Sequence, residues 1–279
     1  MKILLKIAYL GTNYAGFQAQ RGSSCRTVQE TLTEAVCLSL GKPCHVTGCS
    51  RTDSGVHARG FCASIEAVDG SDITVPVEKI PVSVNHRLPE DVAVLDAALV
   101  PDSLHPRYNV KSKEYVYVFS DSPTRDPFLF DRAMYLKAPL TVENVTAMHT
   151  AAQSFVGTHD FSAFMAQGSK ITDTVRTVYS ASVRRVADTV EFRVSADGFL
   201  YNMVRIMAGT LLAVGQGKLV PERVAEIVLG KDRRLAGITA PPHGLYLDRV
   251  EYGTPIAWAL ADRRSLSAKI QRSEGSGGF

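Results

Sequence analysis

The chain is organised around one segment, Gly48-Cys49-Ser50-Arg51-Thr52-Asp53-Ser54-Gly55-Val56-His57-Ala58. A short apolar strand is predicted to lead into it, a turn to follow at Asp53-Ser54-Gly55, and a second apolar strand to leave from Gly60. Asp and Ser before Gly are common turn formers, because their side chains bond nearby backbone and Gly tolerates positive φ. Turns between strands are also where catalytic groups are often placed. The segment alone favours a structural role, so a functional role for Asp53 depends on the rest of the chain.

The residues around this segment predict an α+β domain with the order strand, helix, strand, strand, helix, strand. Thr27-Val28-Gln29-Glu30 fits a capping box that opens the first helix, and Gly41 can end it. This order is the split βαβ unit of ferredoxin-like folds. The predicted strands are Lys2–Tyr9, His45–Cys49, Gly60–Ala67 and Val92–Leu99, and the second helix lies near Val77–Val84.

The second half of the chain has a similar plan. Thr141 is predicted to cap one helix, Asn202 to cap a helix from Met203 to Val214, and Pro221 to open a helix that Gly230 ends. The predicted strands are Tyr115–Ser120, Arg176–Arg184, Thr189–Ala196 and Leu245–Tyr252. We therefore expect two similar ferredoxin-like or RRM-like α+β domains, at residues 1–103 and 104–260. Residues 261–279 lack an apolar period and predict a disordered tail.

Composition excludes several classes of protein. A chain of 279 residues with 45% hydrophobic residues can bury a substantial core. Its longest apolar run, Met207–Val214, is far too short to cross a bilayer, and Lys6 interrupts the N-terminal apolar run too early for a signal peptide. We expect no membrane partner and a cytoplasmic location.

Cysteine count and charge are less decisive. Five cysteines without a Cys-x-x-Cys pair predict reduced thiols, mostly buried on strands, rather than a disulfide framework or a zinc ribbon. A net charge of +3 is too small to indicate nucleic-acid binding by itself. Basic residues nevertheless cluster, and the clusters permit a phosphate-binding groove. They are Arg21 with Arg26, Arg51 with Arg59, and Arg107 with Lys111 and Lys113.

Several common catalytic motifs are absent from the sequence. It contains no phosphate loop, no Gly-x-Gly-x-x-Gly before a helix and no Gly-x-Ser-x-Gly elbow. Its seven histidines are scattered without metal-ligand spacing, and His57 after the turn is typical of a structural histidine. No cofactor and no metal are expected.

Two chemical interpretations of Asp53 can be compared. Aspartic proteases use Asp-[Ser/Thr]-Gly with two carboxylates that share a proton, but only one such triplet occurs here. Arg51 nearby favours full ionisation, which opposes a shared proton. The alternative is a carboxylate kept charged for nucleophilic work, and the order Arg-x-Asp suits that task.

Two further features lie in the second half of the chain. Arg205 lies at the start of an otherwise apolar helix, where an arginine is costly to bury without a partner. Its stem could instead pack while its head reaches solvent. Tyr115 and Tyr117 share one face of a predicted strand, which is common in protein cores.

With these features in place, the central segment resembles the signature Gly-Arg-Thr-Asp-x-Gly-Val-His-Ala of the TruA family of tRNA pseudouridine synthases. Further blocks similar to that family follow in the family's order, from about Ile7 to Tyr252. Leu10, Ser50 and Phe61 depart from the family pattern, where an acidic residue, a glycine and often a glutamine stand. The blocks are Tyr9–Gln20, Thr27–Glu30, Asn85–Val94, Lys113–Tyr117, His159–Phe164, Phe199–Arg205 and Gly244–Leu247.

The resemblance implies isomerisation of uridine to pseudouridine in the anticodon stem-loop of tRNA, at positions thirty-eight, thirty-nine and forty. It implies that Asp53 is the nucleophile, that Arg205 pairs with it and that Tyr115 packs on the target uracil. Arg51 corresponds to an arginine near the flipped nucleotide. The resemblance also implies two domains whose sheets meet along an RNA-binding cleft, and a homodimer. The opposing class is a non-catalytic RNA-binding protein of two RRM-like units.

Overall fold

The computed structural model describes residues 2–20, 22, 25–168 and 171–260. Arg21 of the first basic cluster and the predicted tail at 261–279 lie outside the described residues. The chain divides into two compact units. The first takes the described residues of Met1–Ser54, Ala58–Val110 and Tyr252–Phe279, and the second takes Gly55–His57 and Lys111–Glu251. The predicted division at 103/104 stays a prediction.

The first unit has the predicted strand and helix order. Its four strands lie side by side in the order β4-β1-β3-β2, and every neighbouring pair is antiparallel. This is the sheet of a ferredoxin-like fold, as expected. The elements are β1 (Lys2–Tyr9), α1 (Val28–Leu40), β2 (Cys44–Gly48), β3 (His57–Ala67), α2 (Ile80–Asn85) and β4 (Val92–Val100).

The start and end of α1 follow from its own sequence. Thr27 accepts a hydrogen bond on its side chain from the Glu30 amide, and the Glu30 carboxylate accepts one from the Thr27 amide at 2.8 Å. Gly41 ends the helix in the left-handed region at φ 67°. Val28 and Leu32 are fully buried on the face that packs on the sheet. The predicted capping box and glycine stop are both confirmed.

The second unit repeats the arrangement with two short strands and one helix added. Its sheet has the order β10-β5-β9-β8-β7, and β6 pairs in parallel with β5. Strands β10, β5, β9 and β8 correspond to β4, β1, β3 and β2 of the first unit, so the expected pair of similar α+β folds is confirmed. The elements are β5 (Val110–Ser120), β6 (Met134–Tyr135), α3 (Val142–Ala152), β7 (Gly157–Asp160), β8 (Val175–Val186), β9 (Thr189–Ala196), α4 (Met203–Gly215), α5 (Arg223–Gly230) and β10 (Leu245–Tyr252).

Three details differ from the sequence-based expectation. Strand β5 begins at Val110 rather than Tyr115, because its polar first residues conceal the apolar pattern. Pro221 precedes α5, which begins at Arg223, and Lys231 rather than Gly230 adopts the left-handed conformation at its end. The short strands β6 and β7 carry too few residues to show a period. Within the described residues, every helix is too short or too polar to cross a membrane.

The cysteines have the expected state. None of the five is part of a disulfide. Cys44, Cys49 and Cys62 are buried, Cys37 in α1 is partly buried, and Cys25 is exposed. Burial raises the pKa of the Cys44 and Cys62 thiols, which keeps them protonated.

An ion pair between a buried aspartate and an exposed arginine of the second unit was not predicted. Asp121, at the end of β5, is 3% exposed and receives two hydrogen bonds from Arg185 of β8, at 3.0 and 2.7 Å. The Leu140 amide donates a third bond to it at 2.8 Å. Burial alone would raise the pKa of Asp121, but the hydrogen bonds outweigh burial and the net shift is downward. The pair fastens β8 and β5 to the segment that leads into α3.

We expect Asp121→Asn to lower the free energy of unfolding at pH 7 by about 2 kcal/mol, since a charge-assisted, bidentate interaction is lost. A depressed carboxyl pKa contributes stability above the unfolded-state pKa, and this stability is lost as pH falls through the folded-state value. The variant should therefore lose less stability than wild type between pH 5 and the acid range. Denaturant unfolding followed by circular dichroism across a pH series measures both effects.

Asp72→Asn, at an exposed aspartate of the first unit, is the matched control and should leave stability within about 0.5 kcal/mol of wild type. Equal acid dependence in wild type and Asp121→Asn would contradict the proposed contribution of the pair.

Candidate functional site

The loop that carries Asp53 is fastened at the residue before it. Thr52 is buried, and its hydroxyl lies 2.8 Å from the Tyr9 hydroxyl at the end of β1. Its carbonyl oxygen accepts a hydrogen bond from the Phe17 amide at 3.3 Å. Thr52 is therefore held through both side chain and backbone, which limits the positions open to the half-buried Asp53. Arg51, on the other side of Thr52, is exposed.

A second segment supports this loop. Gly16 has φ 86°, and a Cβ atom there would overlap the carbonyl oxygen of Thr52. The Ser54 hydroxyl donates to the Tyr14 carbonyl at 3.1 Å, and the Tyr14 hydroxyl donates to Asp91 at 2.7 Å. Burial and the hydrogen bond to Asp91 raise the pKa of Tyr14, so this hydroxyl stays protonated as a donor. The family-like block at Tyr9–Gln20 thus positions the aspartate loop.

One departure from the family pattern has a structural explanation. Phe61 is fully buried and stacks on Phe17, with 4.1 Å between ring centroids and 25° between ring planes. Tyr9 contacts both rings. Gly48 leaves room for the Phe17 ring, since a Cβ atom there would collide with it. Phe61 therefore completes an aromatic cluster that supports the loop in the first unit.

Gly55–His57 of the central segment belong to the second unit. His57 is fully buried there, and its Nε2 donates to the carbonyl oxygen of His243 at 3.0 Å. Its ring lies 4.7 Å from that of Tyr246. Burial is the main cause that lowers the pKa of His57, which keeps the imidazole neutral. The expected structural role of His57 agrees with these contacts.

Arg205 is held by its own unit. Its Nε donates to the carbonyl oxygen of Ala240 at 2.7 Å, and its Nη1 donates to Oδ1 of Asn202 at 2.7 Å. The Ala240 amide in turn donates to the Arg205 carbonyl at 3.1 Å. The guanidinium is thus part-buried and oriented by two acceptors, rather than only extended into solvent from a packed stem.

Asn202 occupies the predicted cap position of α4, but its side chain does not cap the helix. Asn202 precedes the helix with φ 59° and ψ 11°, and its side chain makes no capping hydrogen bond. A capping residue normally has extended backbone, which directs its side chain toward the first-turn amides. Here the side-chain oxygen contacts Arg205 instead.

The two tyrosines of β5 have different surroundings. Tyr115 is 7% exposed and meets the Phe199 ring edge-on, with 5.1 Å between centroids. Tyr117 is fully buried, donates to the Pro241 carbonyl at 2.8 Å and packs against Gly244. Tyr117 is therefore a core residue, and Tyr115 keeps a small exposed part.

The segment Ala240–Gly244 organises this part of the second unit. Carbonyl oxygens of Ala240, Pro241 and His243 accept from Arg205, Tyr117 and His57 in turn. Within this segment, only Gly244 lies in one of the family-like blocks. Pro241-Pro242 could have marked the segment, since consecutive prolines restrict the backbone and have no amide hydrogen to donate.

A close backbone approach fixes that segment on α4. A Cβ atom on Gly209 would overlap the carbonyl oxygen of Ile238, and one on Gly237 would overlap the backbone of Gly209. The Gly237 amide donates to Thr210 at 2.8 Å, and Arg233 donates to the Gly237 carbonyl at 2.9 Å. The position of the Ala240 carbonyl therefore depends on Gly209 and Gly237, because a side chain on either residue would block this close backbone contact.

The sequence-predicted site residues lie in both units. Asp53 and Arg51 belong to the first unit, and Arg205 and Tyr115 belong to the second. Within its own unit the Asp53 loop is fastened at Thr52, Arg205 is fixed by two acceptors and Tyr115 packs on Phe199. Their catalytic roles stay predictions.

Comparison with known proteins identifies the family. Residues 6–109 and 151–253 match a family model described as tRNA pseudouridine synthase. The chain belongs to the tRNA pseudouridine synthase family, which confirms the resemblance in the central segment.

Individual relatives agree with this assignment. A protein of Thermoanaerobacter sp. (strain X514) named tRNA pseudouridine synthase A is 42% identical over 90% of this chain and 99% of that relative. A protein of the same name from Halalkalibacterium halodurans is 43% identical over 89% of this chain and 91% of the relative. A solved Cbf5-Nop10-Gar1 complex matches at 12% identity over 87% of this chain and 57% of that chain, with a TM-score of 0.32.

We expect Gly16→Ala to disturb the aspartate loop, because the new methyl group would push on the Thr52 carbonyl. The loss in the free energy of unfolding should be about 2–3 kcal/mol, from positive φ and overpacking together. Amide NMR shifts of Thr52 and Asp53 should change.

Gly41→Ala is the matched control, because Gly41 also has positive φ but no atom lies within 4 Å of the place that a methyl group would take. It should cost only about 1 kcal/mol, from backbone strain. Equal losses in the two variants, with unchanged Thr52 and Asp53 shifts, would show that Gly16 does not support the loop.

Proposed function

We propose that this protein isomerises uridine to pseudouridine in tRNA, with Asp53 as the nucleophile. The observation that carries the proposal is the Arg51-Thr52-Asp53 turn, in which the hydrogen bond between Thr52 and Tyr9 holds the residue next to Asp53 in place. This turn lies in a chain that belongs to the tRNA pseudouridine synthase family. Similar proteins named tRNA pseudouridine synthase A extend over 90% of the chain. Both the local geometry and the extent of the similarity support the same activity.

The reaction breaks the bond from ribose to the base nitrogen, turns the uracil and joins it to the sugar through a ring carbon. Substrate and product are isomers, so no electron or group has to leave. A charged carboxylate can start this chemistry by attack at the anomeric carbon, by addition to the uracil ring or by removal of a sugar proton to give a glycal. Asp53 on a restrained loop suits each route, since all three require one oxygen held close to the reacting nucleotide.

Three further residues receive proposed roles. Arg205 serves as the counter-ion of Asp53, and the bonds to Ala240 and Asn202 support this role because they orient the guanidinium before substrate arrives. Tyr115 packs on the target uracil and assists proton transfer at the ring carbon, since a tyrosine ring can stack on a base that has left the helix. Arg51 is exposed and can bind a phosphate or fill the space of the flipped nucleotide.

The finer predictions concern substrate position and assembly. We propose action on the anticodon stem-loop at positions thirty-eight, thirty-nine and forty, by a homodimer in the cytoplasm. The opposing candidate is a non-catalytic RNA-binding protein of two RRM-like units, which the four-stranded order of each unit also fits. Pseudouridine mapping on tRNA incubated with the protein separates the two functions and gives the modified positions in the same experiment.

We expect Asp53→Asn to keep its fold and its affinity for tRNA but to lose turnover at least about 10³-fold, because the amide is not a nucleophile at this position. Tritium release from tRNA labelled in the uracil ring measures turnover, and filter binding measures affinity. Asp72→Asn, at an exposed aspartate of the same unit, is the control and should retain full turnover. Full turnover by Asp53→Asn would refute the nucleophile assignment.

We expect Arg205→Lys to lower kcat about 10²-fold although the charge is kept. A lysine has one ammonium group and cannot donate to Ala240 and Asn202 in the planar geometry of a guanidinium. Arg234→Lys is the control, because Arg234 is an exposed arginine that pairs with Asp232; it should behave as wild type. A kcat near wild type for Arg205→Lys would limit Arg205 to a structural role.

A further inference from the structure

Asn202 has a backbone conformation that its position at a helix start does not require. Two other helices of the chain begin in the ordinary way, with Thr27 at φ −105° and Thr141 at φ −72°, and both side chains accept from the first turn in a capping box. Asn202 instead has φ 59° and makes no such bond. The first turn of α4 therefore lacks the side-chain cap that the same residue type could supply with extended backbone.

The left-handed conformation is unfavourable for residues with a Cβ atom, although asparagine tolerates it better than most. An unfavourable conformation that also gives up a stabilising contact is more common where function requires it. The visible consequence here is the 2.7 Å hydrogen bond from Arg205 Nη1 to Asn202 Oδ1.

Two acceptors within the second unit restrict the orientation of the guanidinium. Ala240 accepts from Nε and Asn202 accepts from Nη1, both at 2.7 Å. Because these nitrogens lie at different corners of a planar group, the two acceptors together restrict rotation of the plane more than either does alone. The Ala240 carbonyl is itself fixed by the approach of its segment to Gly209.

We propose that Asn202 is a positioning residue for the isomerisation, which acts by holding the Arg205 guanidinium in its reactive orientation. This inference rests on the proposed function, in which Arg205 is the counter-ion of Asp53. The side chain of Asn202 contributes an acceptor, and its left-handed backbone directs that acceptor away from the helix amides and onto Arg205. Orientation before substrate binding lowers the barrier of the chemical step more than it strengthens substrate binding.

The test compares two substitutions at the same position. Asn202→Gly adopts the left-handed backbone without strain but lacks the acceptor, and it should lower kcat about tenfold to 10²-fold while KM for tRNA changes less than about threefold. Asn202→Asp keeps an acceptor oxygen of similar reach. Its added negative charge competes with Asp53 for Arg205, so this variant serves the measurement of guanidinium rotation and not the comparison of kcat. In an Arg205→Lys background, Asn202→Gly should cause less than about a twofold further loss, because the interaction it removes is already absent.

A second measurement does not depend on activity. In protein labelled with ¹⁵N-arginine, NMR should show slow rotation of the Arg205 guanidinium about its Nε–Cζ bond in wild type and in Asn202→Asp, and fast rotation in Asn202→Gly. Asn144→Ala is the control at another helix start, where the Asn144 side chain accepts from the Thr141 amide. It should alter neither kcat nor the Arg205 signals.

The outcomes separate the inference from the proposed function. If wild type forms no pseudouridine in tRNA, the proposed function fails, and the NMR comparison still decides whether Asn202 orients Arg205. If wild type is active and Asn202→Gly keeps full kcat, the positioning role is overturned. It is also overturned if the losses of Asn202→Gly and Arg205→Lys multiply in the double variant, or if the Arg205 guanidinium rotates as slowly in Asn202→Gly as in wild type.

Discussion

The carbonyl oxygen of Ala240, hydrogen-bonded to the Nε atom of Arg205, is the contact on which the arrangement of the second unit around α4 depends. An arginine in a mostly buried apolar helix start is unfavourable unless its donors find acceptors. One acceptor is the Asn202 side chain directly before α4, and the other, the Ala240 carbonyl, comes from the segment Ala240–Gly244. That segment is in turn fixed on α4 where Gly209 and Gly237 allow two backbones to meet. The need of Arg205 for a hydrogen-bond acceptor thus accounts for the position of the Ala240–Gly244 segment and for glycines at 209 and 237.

The aspartate loop of the first unit is also held in place by hydrogen bonds, but between neutral groups. Both neighbours of Asp53 are held by hydrogen bonds. Thr52 is hydrogen-bonded to Tyr9 and Phe17, and Ser54 is hydrogen-bonded to Tyr14. Gly16 provides the close approach that these bonds need. A carboxylate carried in this way loses little further freedom when it acts, which is the property expected of a catalytic group rather than of an ordinary turn.

Local patterns in the sequence were informative where one short segment holds all the interacting groups. The capping box of Thr27 and Glu30 spans four residues, and the strands Lys2–Tyr9 and Leu245–Tyr252 each follow from the pattern of apolar and aromatic residues within eight positions. Asn202 shows the limit of such patterns. Asparagine before an apolar helix is typical of a cap, and only its contact with a side chain of the first turn shows a different use. The Asp121–Arg185 pair escaped prediction because nothing local links the end of one strand to a residue 64 positions later.

By itself the sequence determined the order of strands and helices, the doubled α+β plan and, through the Arg51-Thr52-Asp53 turn and its companion blocks, the family. These properties depend on periodicity, capping and motif spacing, all of which are readable along the chain. The tertiary structure decided which groups hold the site residues in place. Tyr9 meets Thr52 across 43 positions and Arg205 meets Ala240 across 35, and such contacts depend on how the chain packs rather than on neighbouring residues. For this reason the identity of the candidate residues was accessible from sequence, whereas the means by which each is oriented was not.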